Sequence, residues 1–159
     1  RLLARSAGHQ GMAGGQAIDL ASVGLALEEA QLREMHRLKT GALLQGSVLM
    51  GAACGVAPVA AIAALSEYGA AIGLAFQVVD DILDVTADSA TLGKTAGKDA
   101  AQDKPTYVSL LGLERSRAYA QALLGQALAA LDASGLDING HARTRALRAL
   151  ADMVVNRDK

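Results

Sequence analysis

A chain of 159 residues with 52% hydrophobic side chains is long enough to bury a core and too apolar to stay disordered. The formal net charge is −1, and the 15 Lys and Arg residues are dispersed rather than clustered, which removes the electrostatic footprint of a nucleic-acid partner. Alanine, leucine and glycine dominate while aromatics make up 3%, so summed propensity predicts an all-α fold whose helices pack closely through small side chains.

In chain order, residues 1–20 read as helical faces interrupted by Gly8, Gly11, Gly14 and Gly15. Mid-helix glycine costs about 1 kcal/mol relative to alanine, so the cluster predicts either a loop between two helices or a close backbone approach. The chain opens at Arg1 in what reads as the middle of a helix, and the expectation is that this is not a native start. A long helix is predicted from Leu27 to about Ala53, with Glu28 and Glu29 at the favoured end of its dipole and an i,i+4 pair between Glu29 and Arg33. Cys54 has no cysteine to pair with, which fits a reducing, cytoplasmic setting, and its apolar neighbours predict a buried small hydrophobe.

Gly41 to Ser66 carries no charged residue, yet Gln45, Ser47, several glycines and Pro58 break the run into two buried helices rather than a membrane span. The next helix runs from Val59 to Val85, with Gly69 and Gly73 as bend points, and ends in an acidic cluster. A loop from Thr86 to Lys104 leads to Pro105, which is expected to open a segment through Leu111 with a kink at Gly112. Further helices are predicted over Leu113–Ala133, closed by Ser134-Gly135, and over Ala142–Asn156. No linker or repeat divides these elements, so residues 1–159 are expected to form one domain.

The strongest chemical signal is FQVVDDILD, residues 76–84. At about 100° per residue, Gln77, Asp80, Asp81 and Asp84 share one stripe of the helix. Like charges at i,i+4 are destabilising, and negative charge near a helix carboxyl end opposes the macrodipole, so structure alone does not favour this cluster. A hard divalent cation shared between carboxylates and phosphates does. The bland alternative is a solvated face. Gly93-Lys94 and Gly97-Lys98 follow in a loop whose ammonium groups suit phosphate oxygens or, equally, bulk water. In HRLKTG, residues 36–41, Lys39 and Thr40 interrupt an apolar helix with a point charge and a hydroxyl; a snorkelling lysine is the rival reading. His36 is expected to be a satisfied structural histidine, and His9 and His141 have no evident partners.

The ordered set, Lys-Thr-Gly, then Phe-Gln-x-x-Asp-Asp-x-x-Asp, then Gly-Lys, resembles the trans-prenyl diphosphate synthases. The stretches GMAGGQAIDL, LREMHRLKTGALL, IGLAFQVVDDILDVTADSATLGK and DKPTYVSLLGLE look in detail like the bacterial farnesyl diphosphate synthases. The resemblance implies an antiparallel helical bundle of the isoprenoid synthase type, present here in part, and condensation of an allylic diphosphate with isopentenyl diphosphate. It implies Lys39, Thr40, Gln77, Lys94 and Lys104 as contacts to the allylic diphosphate, with Lys39, Gln77 and Asp80 at the chemistry. Asp80, Asp81 and Asp84 are the implied magnesium ligands, Asp80 and Asp84 foremost, in a site holding three Mg2+ ions when complete. It further implies a homodimer, with the glycines at 11–15 near the two-fold contact, and an apolar wall that includes Phe76. The family's first aspartate-rich motif and its isopentenyl site have no counterpart here, so these residues alone are expected to lack synthase activity. A non-catalytic helical subunit of a two-component synthase is the alternative. Whether Arg157 and Lys159 approach the site is a question the sequence leaves open.

Overall fold

The computed structural model describes residues 1–86, 104–137 and 142–157, and every regular element among them is helical. The first glycine cluster serves both predicted purposes. Gly8 to Gly11 form the turn between α1 (Leu2–Ala7) and α2 (Met12–Ala21), while Gly15 lies inside α2 at a helix contact. α2 touches the rest of the fold along a narrow stripe, Gly11, Gly15, Asp19 and Ser22, which recurs at helical spacing.

The long helix expected from Leu27 is realised as α3 (Glu29–His36), a π-helical turn (Arg37–Gly41) and α4 (Ala42–Ala53). Its start is fixed by Gln31, whose side-chain oxygen accepts the Glu28 backbone N–H at 2.9 Å. Among the described residues the ion pair within this helix is Glu34–Arg37 at 2.6 Å, in place of the expected Glu29–Arg33. Beyond Ala53 the chain leaves the core, and Cys54 is exposed, with its thiol donating to the Met50 carbonyl at 3.3 Å. The expectation of a buried cysteine is corrected: an apolar neighbourhood in sequence became the outer end of a helix.

Pro58 interrupts the uncharged run as expected, and α5 (Val59–Thr86) follows as one 28-residue helix. Among the described residues it is the helix long and apolar enough to cross a membrane, but 56% of its most apolar window is buried inside the fold. Gly69 and Gly73 admit neighbours instead of bending it. A Cβ at Gly69 would lie 2.8 Å from Gln45 Cα, and one at Gly73 would lie 2.6 Å from Gly41 Cα, so α4 and the π-turn approach α5 at backbone distance.

Pro105 precedes the next helix without opening it. Thr106 is the N-cap of α6 (Tyr107–Leu111), accepting the Ser109 N–H at 3.1 Å while Ser109 Oγ accepts the Thr106 N–H. Gly112, at φ 82°, separates α6 from α7 (Leu113–Ala133), and Gly135, at φ 64°, ends the following turn; both breaks fall where the sequence placed them. α8 (Arg145–Val155) is shorter than predicted, because Thr144 is held before it by Asp137, which accepts from both its N–H and its hydroxyl.

The core is a continuous cluster in which α5 packs most extensively against α7 and α4. Leu74, Val78 and Ile82 face this interior, each contributing about 1.5–3 kcal/mol by burial. Tyr68 ties α5 to α8 by donating its hydroxyl to the Leu147 carbonyl at 2.7 Å. α5 is thereby held by packing and by this bond, and its last turns carry the acidic motif.

Candidate functional site

The site begins with the π-turn, RLKTG. Widening a helix by one residue is uncommon and is found mostly at functional positions. Here the turn is wedged between two helices that each present a glycine to it: Gly73 of α5 against Gly41, and Gly15 of α2 against Lys39. A Cβ on Gly15 would lie 2.1 Å from the Lys39 backbone nitrogen. Successive helical residues diverge by about 100°. Lys39 therefore turns to α2 and donates to Asp19 Oδ2 at 2.7 Å, while Thr40 turns to α5 and donates its hydroxyl to Gln77 Oε1. Asp19 is 7% exposed, so this carboxylate is a nearly buried counter-charge that aims the ammonium group.

The acidic stripe is divided. Asp80 is exposed and Asp84 half-buried, whereas Asp81 is 5% exposed and its Oδ2 accepts the Tyr107 N–H at 2.7 Å. Asp81 lies at the edge of the stripe where α6 arrives, and that helix start takes it. The expectation of one open face bearing three carboxylates is corrected accordingly: the open face carries Asp80 and Asp84 with Gln77. Asp80 Oδ1 is met by Arg157 Nη2 at 2.5 Å, and the same nitrogen donates to the Phe76 carbonyl at 3.2 Å. The guanidinium lies over the Phe76 ring, 4.2 Å from its centroid.

Of the remaining expected residues, Lys104 is half-buried just before α6, beside Leu25, Leu27 and Pro105. Lys94, Lys98, Lys159 and His141 lie outside the described residues. His36 is structural, as expected, but not satisfied. It is 5% exposed, stacks on Tyr107 with ring centroids 5.6 Å apart, and neither ring nitrogen has a hydrogen-bond partner. Burial, with help from the nearby Lys39 charge, pushes its pKa down to about 4, so the ring is neutral near pH 7 and no general base.

Among the described residues no group of three or more His, Cys, Asp or Glu side chains converges on a metal position. Two carboxylates, Asp80 and Asp84, one turn apart at the negative end of a helix whose last turn holds no basic residue, nevertheless fit magnesium. That ion is commonly held by one or two carboxylates, with substrate phosphates and water completing an octahedron. Lysine, threonine and glutamine beside them add the donors that diphosphate oxygens require.

A family comparison decides the lineage: the sequence pattern of the polyprenyl synthetases matches residues 3–137. The chain belongs to the polyprenyl synthetase family. It is 54% identical over 138 residues to the probable farnesyl diphosphate synthase of Sinorhizobium fredii, covering 82% of this chain and 42% of that protein. It is 45% identical to the farnesyl diphosphate synthase of Escherichia coli, covering 99% of this chain and 52% of that one. In three dimensions it matches a Helicobacter pylori geranyltransferase, solved with magnesium and isoprenyl diphosphate, at a TM-score of 0.79 and 36% identity over 98% of this chain and 49% of that one. The chain thus spans about half the length of the relatives it matches. The family and the helical bundle inferred from the motifs are borne out.

Asp19 is the residue that sequence reasoning passed over, while Gly15 was expected at a close approach whose partner was not named. Both lie in GMAGGQAIDL, four residues apart, so they share a helix face. Nothing in the spacing connects residue 19 to residue 39; only the crossing of α2 over the π-turn does.

Proposed function

We propose that this chain forms the allylic-diphosphate half-site of a trans-prenyl diphosphate synthase that makes a farnesyl-type product. The observation that carries the reading is the junction of two motifs, Lys39-Thr40 on the π-turn and Gln77-Asp80 on α5, joined by the Thr40–Gln77 hydrogen bond. In the reaction, the allylic carbon–oxygen bond breaks heterolytically and diphosphate leaves with the electron pair. The isopentenyl double bond attacks the resulting allylic cation, and loss of a proton, with pyrophosphate as acceptor, regenerates an alkene.

The residues of this chain would stabilise charge growing on the leaving group. Lys39, held by Asp19, presents a fixed ammonium; Thr40 and Gln77 orient oxygens of the diphosphate; Lys94 and Lys104 add positive charge. Asp80 and Asp84 would hold magnesium, which when bound supplies Lewis-acid neutralisation of the diphosphate. Asp81 acts indirectly, by anchoring α6 beside them. Phe76 and the small-residue faces of α4 and α5 would line the apolar side along which the prenyl chain lies, excluding water from the cation. A homodimeric, cytoplasmic enzyme using dimethylallyl or geranyl diphosphate with isopentenyl diphosphate completes the reading.

The test is binding of a thiolo-diphosphate allylic analogue to the intact protein, with and without magnesium. Binding that requires magnesium and is lost in both Asp80→Ala and Lys39→Ala supports the assignment. Equal binding by all three proteins would mean that the acidic face is merely solvated.

A further inference from the structure

We propose that Arg157 is a positioning residue for Asp80: its guanidinium fixes the carboxylate through Oδ1 and leaves Oδ2 to bind the divalent cation. The inference rests on the diphosphate-site reading above and adds a residue from the opposite end of the chain. Three contacts hold the guanidinium across one turn of α5: the 2.5 Å bond to Asp80 Oδ1, the 3.2 Å bond to the Phe76 carbonyl, and the stack on the Phe76 ring. Two of the three do not involve Asp80, so the arginine is seated whether or not the carboxylate moves. Its side chain is 21% exposed, against 50% for Asp80, so the guanidinium is the less exposed partner of the pair.

The segment that delivers Arg157 is itself clamped. Asn156 accepts from Gln121 Nε2 of α7 at 2.9 Å and donates to Asp152 Oδ1 of α8 at 2.7 Å. A rigid planar donor on a fixed backbone restricts a carboxylate rotamer far better than a flexible ammonium does. α5 supplies no basic residue in its last turn, and Arg157 brings a counter-charge to Asp80 near its acidic, dipole-negative end. Among the described residues Asp80 Oδ2 accepts no hydrogen bond, which leaves that oxygen for a metal ion. Metal-ligating carboxylates are regularly oriented by such outer hydrogen bonds, whose loss weakens metal affinity or activity by about 10–100-fold.

The experiment is a magnesium titration of thiolo-diphosphate analogue binding to the intact protein, for the native sequence, Arg157→Gln, Arg157→Lys, Asp80→Asn and the Arg157→Gln/Asp80→Asn double variant. Unfolding curves confirm that each is folded, and manganese binding followed by paramagnetic resonance gives a readout independent of turnover. Arg157→Gln is expected to raise the half-saturating magnesium concentration about tenfold or more. Analogue affinity should recover at saturating metal, and Arg157→Lys should fall between. In the Asp80→Asn background Arg157→Gln should add no further loss. An unchanged magnesium requirement overturns the proposal. So does a lowered one, which would make the guanidinium a competitor of the cation, and so does an equal loss in the Asp80→Asn background. If the native protein binds no analogue at any magnesium concentration, both this inference and the diphosphate-site reading fall together.

Discussion

Replacing Gly15 by alanine tests the packing that places Lys39. On propensity alone the change would stabilise α2 by about 1 kcal/mol. The geometry predicts the opposite sign. The new Cβ would lie 2.1 Å from Lys39 N, 2.5 Å from Lys39 Cα and 2.7 Å from the Leu38 carbonyl carbon, all backbone atoms that no rotamer change can move. To reach ordinary van der Waals separation, α2 and the π-turn must part by roughly an ångström. Overpacking of this kind costs about 1–3 kcal/mol. The same displacement stretches the 2.7 Å Lys39–Asp19 bond and leaves a 7%-exposed carboxylate poorly compensated. The expected net effect is a loss of about 2 kcal/mol, read as a lowered urea midpoint by far-UV circular dichroism on the intact protein, together with weaker analogue binding. Gly125→Ala in α7 is the matched control, because nothing lies within 4 Å of its Cβ; it should gain about 1 kcal/mol. A Gly15→Ala protein as stable as its parent, beside a stabilised Gly125→Ala, would refute the close-approach argument.

Asp80 and Asp81 should separate function from stability. Asp81→Ala leaves the buried Tyr107 N–H without this acceptor and should cost about 1–3 kcal/mol in chemical denaturation. Asp80→Asn, at a half-exposed ion pair, should change stability by less than about 1 kcal/mol while raising, without abolishing, the magnesium concentration that analogue binding requires. His36→Phe should preserve the stack on Tyr107 and remove two unpartnered nitrogens, leaving stability at pH 7 unchanged or higher. The native histidine takes up a proton near pH 6.5 when unfolded but near 4 when folded, so its contribution is intact above pH 6.5 and lost as pH falls toward 4. That loss amounts to about 2–3 kcal/mol, and thermal melts across this window should show a shallower acid limb in His36→Phe than in the native protein.

Helical class, most element ends and the lineage were legible in the sequence, because they depend on local propensity, turn chemistry and the order of short motifs. Gly112 and Gly135 mark breaks that any chain with those residues would make, and FQVVDDILD puts its carboxylates on one side of any helix that it forms. The tertiary structure alone decided which of those carboxylates faces outward, since Asp81 is claimed by α6, an element more than twenty residues further on. It alone paired Lys39 with Asp19 and Asp80 with Arg157, and it left Cys54 outside the core and His36 unpartnered within it. Each of these outcomes depends on which helix arrives against a given face and how closely its glycines let it approach, a relation between distant segments that local spacing does not encode.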